Sequence, residues 1–378
     1  MDTRIPMVDL AAQYRRLKPE IDTAILQVIN STAFINGAEV KQFTKNLAAY
    51  LQVPAVITCG NGTDALQIAL MALNLKPGDE VIVPAFTYVA AEETVAMLGL
   101  VPVLVDVDPV TFNIDVTQIE QSFTSQTKAI IPVHLFGQCC DMEPIIKIAK
   151  KYHIHVIEDN AQSLGADYRF ADGTIKKAGT IGQIGTTSFF PSKPLGCYGD
   201  GGALITSDEE LGNRLRKIAN HGQASKYDHQ LIGCNSRLDT IQAAILNVKI
   251  KYMNEWTKSR QQVAEIYNVA LEECDGLILP HKMPYSTHIY HQYTVRVRDG
   301  RRDELRNWLR ERGIPSMVYY PHPMHTQKAF KGITRIAAKL HVAEQLCNEV
   351  LSLPICPELR KEAQALVIRE IKTFFKKA

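Results

Sequence analysis

The lysine in SFFPSKPLGCYGDGGAL, residues 188–204, stands between two prolines and ahead of a glycine cluster. A structural lysine normally lies on a solvated helix face. Lys193 falls instead in an apolar loop at a strand end, where desolvation lowers an amine's pKa and frees it to attack a carbonyl. No GxxxxGK[ST] precedes it, which sets phosphate-loop chemistry aside. Asp159 closes the run HVIED, with Gln162 three residues on. That carboxylate is either a ligand partner at a strand edge or the N-cap of a following helix. Further upstream, GNGTDALQIALMAL (60–73) is a glycine turn feeding an apolar helix. Its amides at Gly62 and Thr63 either face a phosphate from a helix N-terminus or simply begin a capped helix. Ser188 adds a hydroxyl at another strand edge. A phosphate cradle, an acid, an amide three residues later and a lysine 34 residues beyond the acid are the set that a pyridoxal phosphate site requires. The lysine forms a Schiff base and the acid keeps the pyridine nitrogen protonated, so that the ring accepts electrons.

That chemistry needs no metal, and the eight cysteines show neither CxxC pairs nor zinc spacing. Cys197, close to Lys193, reads as a small packing residue because no histidine stands near it in sequence.

The residues must be positioned by a sheet. EVIVPAF (80–86), VPVLVDVD (101–108), KAIIPVHLFG (128–137) and HIHVIEDNAQ (153–162) are Val- and Ile-rich runs separated by helical stretches over 90–98 and 142–152. Runs apolar on both faces are parallel strands covered by helices. The expected core is therefore α/β, with a mainly parallel sheet whose ligands sit beyond the strands' carboxyl ends. GTTSFF (185–190) and GALITSD (202–208) read as further strands flanking the lysine loop. Beyond residue 240 the pattern becomes long and helical. A strand in HQYTVRVRDG (291–300), a helix over 301–313 and a terminal helix over 359–378 then mark a smaller α+β domain. The expected division is 1–255, a large cofactor-binding domain with an N-terminal arm, and 256–378.

Composition bounds the partners. A formal charge of +2 with 22% charged residues gives no field for nucleic acid or an anionic membrane. The N-terminal segment lacks the apolar run of a signal peptide and no later segment is long enough to span a bilayer, so a cytoplasmic location is expected.

GNGTDAL, PAFTYVAAEETV, VIEDNAQSLGA, SFFPSKPLGCYGDGGAL and NSRLDTIQAAIL, in that order, resemble the DegT/DnrJ/EryC1/StrS family of nucleotide-sugar aminotransferases, of the fold-type I pyridoxal phosphate group. The resemblance runs from FINGAEV near residue 34 to YYPHPMH near residue 320. It implies that Lys193 bonds the cofactor, that Asp159 pairs with the pyridine nitrogen and that Gln162 faces the phenolic oxygen. By the same carry-over Tyr88 stacks on the ring, and Gly62, Thr63 and Ser188 hold the phosphate. Asn235 reaches the phosphate of a neighbouring subunit's cofactor, which implies a homodimer. Lysine at 193, where sugar-dehydrating relatives carry histidine, implies transamination, with L-glutamate as donor and a nucleotide-linked ketosugar as acceptor. The implied sugar is UDP-2-acetamido-2-deoxy-ribo-hex-3-uluronate, aminated at C3 for bacterial surface polysaccharide. A 4-keto-6-deoxy sugar and a non-catalytic, cofactor-bound regulator stand as alternatives. Arg237 is the candidate for the uronate carboxylate, or else an interface salt bridge. Where the family commonly has His-Tyr-Pro, this chain has Tyr319, Tyr320 and Pro321, so Tyr319 or His322 must take the histidine's place at the sugar.

Overall fold

Short runs of valine and isoleucine, apolar at successive positions, leave no face for water, and the chain buries both faces of the sheet they form. The computed structural model describes residues 5–376. Seven strands, β1 (Ala55–Cys59), β2 (Glu80–Pro84), β3 (Val101–Val105), β4 (Thr127–Ile130), β5 (His155–Asp159), β6 (Ile184–Ser188) and β7 (Gly202–Thr206), are joined at one edge by β8 (Arg335–Ile336). Their order is β1-β7-β6-β5-β4-β2-β3-β8. Pairing is parallel from β6 through β5, β4, β2 and β3 to β8, while β7 runs antiparallel to both β1 and β6. The mainly parallel α/β sheet expected from the sequence is the one observed, with β7 reversed.

Helices cover both faces. Val81, Val83 and Ile157 pack with Leu66 and Ala69 of α3 (Gly62–Ala72) and Val95 of α4 (Ala90–Met97). Ile82, Ile130 and Val156 point the other way, against Met142 and Ile145 of α5 (Met142–Tyr152). Two helices that the sequence reading did not single out, α1 (Leu10–Ser31) and α2 (Ala38–Leu51), pack through Leu17, Ile21, Phe43 and Leu47 on Leu246 of the helix Thr240–Lys249.

The predicted strands were too long at their carboxyl ends. KAIIPVHLFG leaves the sheet after Ile130 and turns through Leu135–Gly137, and HIHVIEDNAQ is strand only over His155–Asp159. These are the ends at which backbone is released to line a site. The helical stretch beyond residue 240 is broken by a turn at Ile250–Tyr252, after which Met253–Leu271 runs into the smaller unit. There Leu277–Ile278, Tyr293–Val297 and Val350–Leu353 form an antiparallel sheet covered by Arg302–Glu311 and Lys361–Lys376. The last two residues of the predicted terminal helix lie outside the described residues. Ile5 is buried in this smaller core, with Val263, Tyr267 and Ile355.

Two glycines set how closely the sheet packs behind the site. A Cβ on Gly185, in β6, would lie 1.9 Å from the Gly179 carbonyl oxygen. Gly185→Ala must displace that turn, and overpacking of this kind costs about 1–3 kcal/mol. The variant's melting temperature should fall by several degrees; an unchanged value would mean that the 178–182 turn yields freely.

Candidate active site

A pocket of about 810 Å³ opens at the carboxyl edge of the sheet. β1 delivers Asn61, Gly62 and Thr63, β2 delivers Thr87 and Tyr88, β5 delivers Asp159 and Gln162, and β6 delivers Ser188 and then Lys193. His291, Gln292, Tyr319 and Tyr320 close it from the C-terminal part of the chain. This is where parallel α/β sheets bind ligands.

At one end lies an anion cradle. Asn61 caps α3 by accepting the Asp64 N–H at 2.8 Å, and its carbonyl accepts the Ala65 N–H. The remaining first-turn amides, of Gly62 and Thr63, are left for a ligand. Gly62 is required by contact: a Cβ there would lie 2.8 Å from Ser188 Cβ. The loop behind is fixed by Ser236, whose hydroxyl donates to Asp64 at 2.5 Å and accepts the Gly60 N–H at 2.8 Å.

At the centre, Asp159 Oδ1 accepts the Ala161 N–H at 3.0 Å, so the carboxylate closes a turn and caps no α-helix. Its neighbour Glu158, wholly buried, faces away from the pocket and pins the strand end. Its oxygens accept the amides of Ile181 and Gly182 at 2.6 Å and of Gly179 at 2.9 Å, and His134 Nε2 lies 2.8 Å away. Since His134 Nδ1 accepts the Cys140 N–H, the imidazole proton sits on Nε2 and is donated to Glu158. Gln162 is held at both ends of its amide, with Oε1 on the Phe136 N–H at 2.8 Å and Nε2 donating to the Tyr320 hydroxyl at 3.1 Å. Tyr88 is 57% exposed, leaving its ring free for stacking, and lies 6.2 Å from the Tyr320 ring.

Burial pushes the Asp159 carboxyl above its usual range, opposed by the Ala161 amide and Lys193. It pushes the Lys193 amine down, opposed by Asp159. Burial also lowers His291 well below the usual histidine range, reinforced by Lys193 and Arg260, so this imidazole is neutral. A desolvated amine, a carboxylate awaiting a cationic partner and free helix amides form a donor set that fits pyridoxal phosphate: amine for the aldehyde, acid for the ring nitrogen, amides and Ser188 for the phosphate.

Of the residues predicted from sequence, Gly62, Thr63, Tyr88, Asp159, Gln162, Ser188, Lys193, Tyr319 and Tyr320 line this pocket together. Asn235, Arg237 and His322 do not line it. Asn235 is exposed and Arg237 half-buried on the loop before the helix Thr240–Lys249, and His322 is exposed beyond Tyr320. Sequence reasoning missed Thr87, His291 and Gln292, and also the Glu158–His134 pair behind Asp159. Thr87 alone had a local signal, since it precedes Tyr88 at a strand end. Cys197 is buried with its thiol on the Phe189 and Gly199 carbonyls, and burial pushes its pKa up to about 11, as a packing residue's would be.

The sheet and the lysine pocket define a fold-type I enzyme dependent on pyridoxal phosphate. Residues 15–372 match the model of the DegT/DnrJ/EryC1/StrS aminotransferase family. The chain is 47% identical over 374 residues to a pleiotropic regulatory protein of Geobacillus stearothermophilus, covering 98% of this chain and 99% of that one. It is 46% identical to the UDP-2-acetamido-2-deoxy-3-oxo-D-glucuronate aminotransferase of Pseudomonas aeruginosa, covering 94% and 96%. The structure of ntda from Bacillus subtilis with bound cofactor PMP superposes with a TM-score of 0.90 at 32% identity, covering all of this chain and 86% of that one. This chain belongs to the DegT/DnrJ/EryC1/StrS family, and its activity is pyridoxal-phosphate-dependent transamination of a nucleotide-linked ketosugar.

Because burial disfavours the charged form of Asp159, replacing it with the neutral isostere should stabilise the cofactor-free protein at neutral pH. The sign follows from the raised pKa: the folded state holds the carboxyl proton more tightly than the unfolded chain, so stability is gained as pH falls and lost as the group ionises. Asp159→Asn should therefore melt at or above the wild-type temperature without cofactor, while retaining pyridoxal phosphate more weakly. A lower melting temperature combined with unchanged retention would contradict both halves.

Proposed function

We propose that this enzyme transfers the amino group of L-glutamate to C3 of UDP-2-acetamido-2-deoxy-ribo-hex-3-uluronate, releasing 2-oxoglutarate and the 3-amino uronate for bacterial surface polysaccharide (O-antigen). The reading is carried by one observation: a desolvated lysine and a buried carboxylate share a pocket that ends in an anion cradle. Pyridoxal phosphate, when bound, supplies an electron-accepting ring. Asp159 holds the proton on the pyridine nitrogen, and Gln162, oriented by Phe136 and Tyr320, presents its amide to the phenolic oxygen. The amides of Gly62 and Thr63 and the Ser188 hydroxyl anchor the phosphate, with Tyr88 against the ring. Lys193 Nζ would carry the proton between the donor's α-carbon and C4′ of the cofactor, and in the second half-reaction between C4′ and C3 of the ketosugar. Acid–base catalysis by a positioned group contributes roughly 10² to 10⁴ in rate.

The substrate assignment is supported by the name of the Pseudomonas aeruginosa relative and by electrostatics. Asp64, Asp159 and Asp200 line the pocket against a single ammonium, Lys193, and no arginine lines it among the described residues. The cofactor phosphate, both glutamate carboxylates and the uronate are all anionic. A cation for these anions is supplied most simply by Arg237, which with Asn235 sits on a loop that does not line the pocket of its own chain. We assign them to the site of a second copy, in a cytoplasmic homodimer, with Arg237 on the C6 carboxylate. We assign Tyr319 and Tyr320, which line the pocket, and the exposed His322 beyond them to the sugar. The same proposal divides the chain into the cofactor-binding unit 1–255 and the smaller unit 256–378.

Visible absorption tests the whole assignment. Glutamate should bleach the cofactor's yellow band and the UDP-linked 3-keto uronate should restore it. Bleaching by glutamate with recovery only on a 4-keto-6-deoxy nucleotide sugar would overturn the uronate, and no response to glutamate would overturn the donor.

A further inference from the structure

The loop that carries Lys193 is held from behind by a second, wholly buried lysine. Lys249 is 0% exposed at the end of the helix Thr240–Lys249. Its Nζ donates to the Gly196 carbonyl at 2.6 Å and lies 4.5 Å from the centre of the Tyr198 ring. Two turns earlier on the same helix face, Gln242 Oε1 accepts the Tyr198 N–H at 2.8 Å. One helix thus grips the lysine loop at two points, three and five residues beyond Lys193.

No carboxylate among the described residues forms an ion pair with Lys249, and Glu358 acts on it only at a distance. Burial lowers its pKa to about 8. An unpaired buried ammonium is costly, and a methionine would fill the same volume without that cost. What a methionine cannot supply is a donor for the Gly196 carbonyl or a cation for the Tyr198 face. The backbone there is already tight, since a Cβ on Gly196 would lie 2.2 Å from the Pro191 carbonyl oxygen. The loop closes on itself through the Lys193 N–H to the Phe190 carbonyl, 2.8 Å, and the Cys197 N–H to the Phe189 carbonyl, 2.8 Å. The Gly196 carbonyl is one of the two points at which the helix Thr240–Lys249 holds this closed loop.

We propose that Lys249 is a positioning residue for the reaction: its ammonium, acting through the Gly196 carbonyl and the Tyr198 ring, fixes the loop that presents Lys193 to the cofactor. The inference rests on the role of Lys193 proposed above.

The test adds pyridoxal phosphate to cofactor-free wild type, Lys249→Met and Tyr198→Leu, and follows the visible band before any amino donor is present. In Lys249→Met the band should form about tenfold more slowly, because misplacing a reacting group by a fraction of an ångström has effects of this size. Its maximum should shift, and kcat for the glutamate half-reaction should fall with the KM for glutamate changed less than about twofold. Tyr198→Leu, at a residue 37% exposed and so tolerant of replacement, should move the same three readouts in the same direction by less. Band formation, maximum and kcat unchanged in Lys249→Met would overturn the proposal. If that variant does not fold, an unchanged Tyr198→Leu overturns it. A wild type that forms no band would instead overturn the role given to Lys193.

Discussion

The site depends on a carboxylate that never touches it. Glu158 is wholly buried at the end of β5, and it is tolerated because three backbone amides and the His134 imidazole satisfy it. Successive residues of a strand face opposite sides. Fixing Glu158 toward the 178–182 turn therefore aims Asp159 at the pocket. The same turn lies against Gly185 in β6, the strand that ends at Ser188 and leads into the Lys193 loop. One buried interaction thus sets the relative placement of Asp159, Ser188 and Lys193.

Desolvation then makes these groups useful. The same burial that raises Asp159 lowers Lys193, so each group is poised for a partner that neither finds fully in the other. A protonated heteroaromatic nitrogen satisfies the acid, and an aldehyde satisfies the amine. The pocket carries more carboxylates than cations, and in the proposed assembly Arg237 of a second copy would redress that balance. The loop carrying Asn235 and Arg237 is tied to Gly60 and Asp64 by Ser236, but neither Asn235 nor Arg237 lines the pocket.

Much of this was legible in the residues. Valine and isoleucine at consecutive positions of EVIVP and VPVLV admit only strands buried on both faces, and a lysine between prolines at a strand end has no ordinary structural use. The reversed direction of β7 was not legible, because local pattern carries no information about strand polarity. Of the adjacent acids, the sequence reading chose Asp159, the last of the strand, and the pocket holds it; that Glu158 is satisfied behind it by the amides of Gly179, Ile181 and Gly182 was not legible. His291 and Gln292 enter the site 98 and 99 residues after Lys193, from the smaller unit, with no spacing to announce them. The sequence reading did not single out Lys249, and only its complete burial against the Gly196 carbonyl marks it out.

The account's central claim is that Lys193, among the chain's lysines, holds the cofactor. Borohydride reduction of the cofactor-loaded protein, followed by protease digestion and mass mapping, reads this directly. The account predicts one phosphopyridoxyl group per chain, on the peptide containing Lys193. A label on Lys249 or any other lysine, or a protein that binds the cofactor and takes no label, would contradict it.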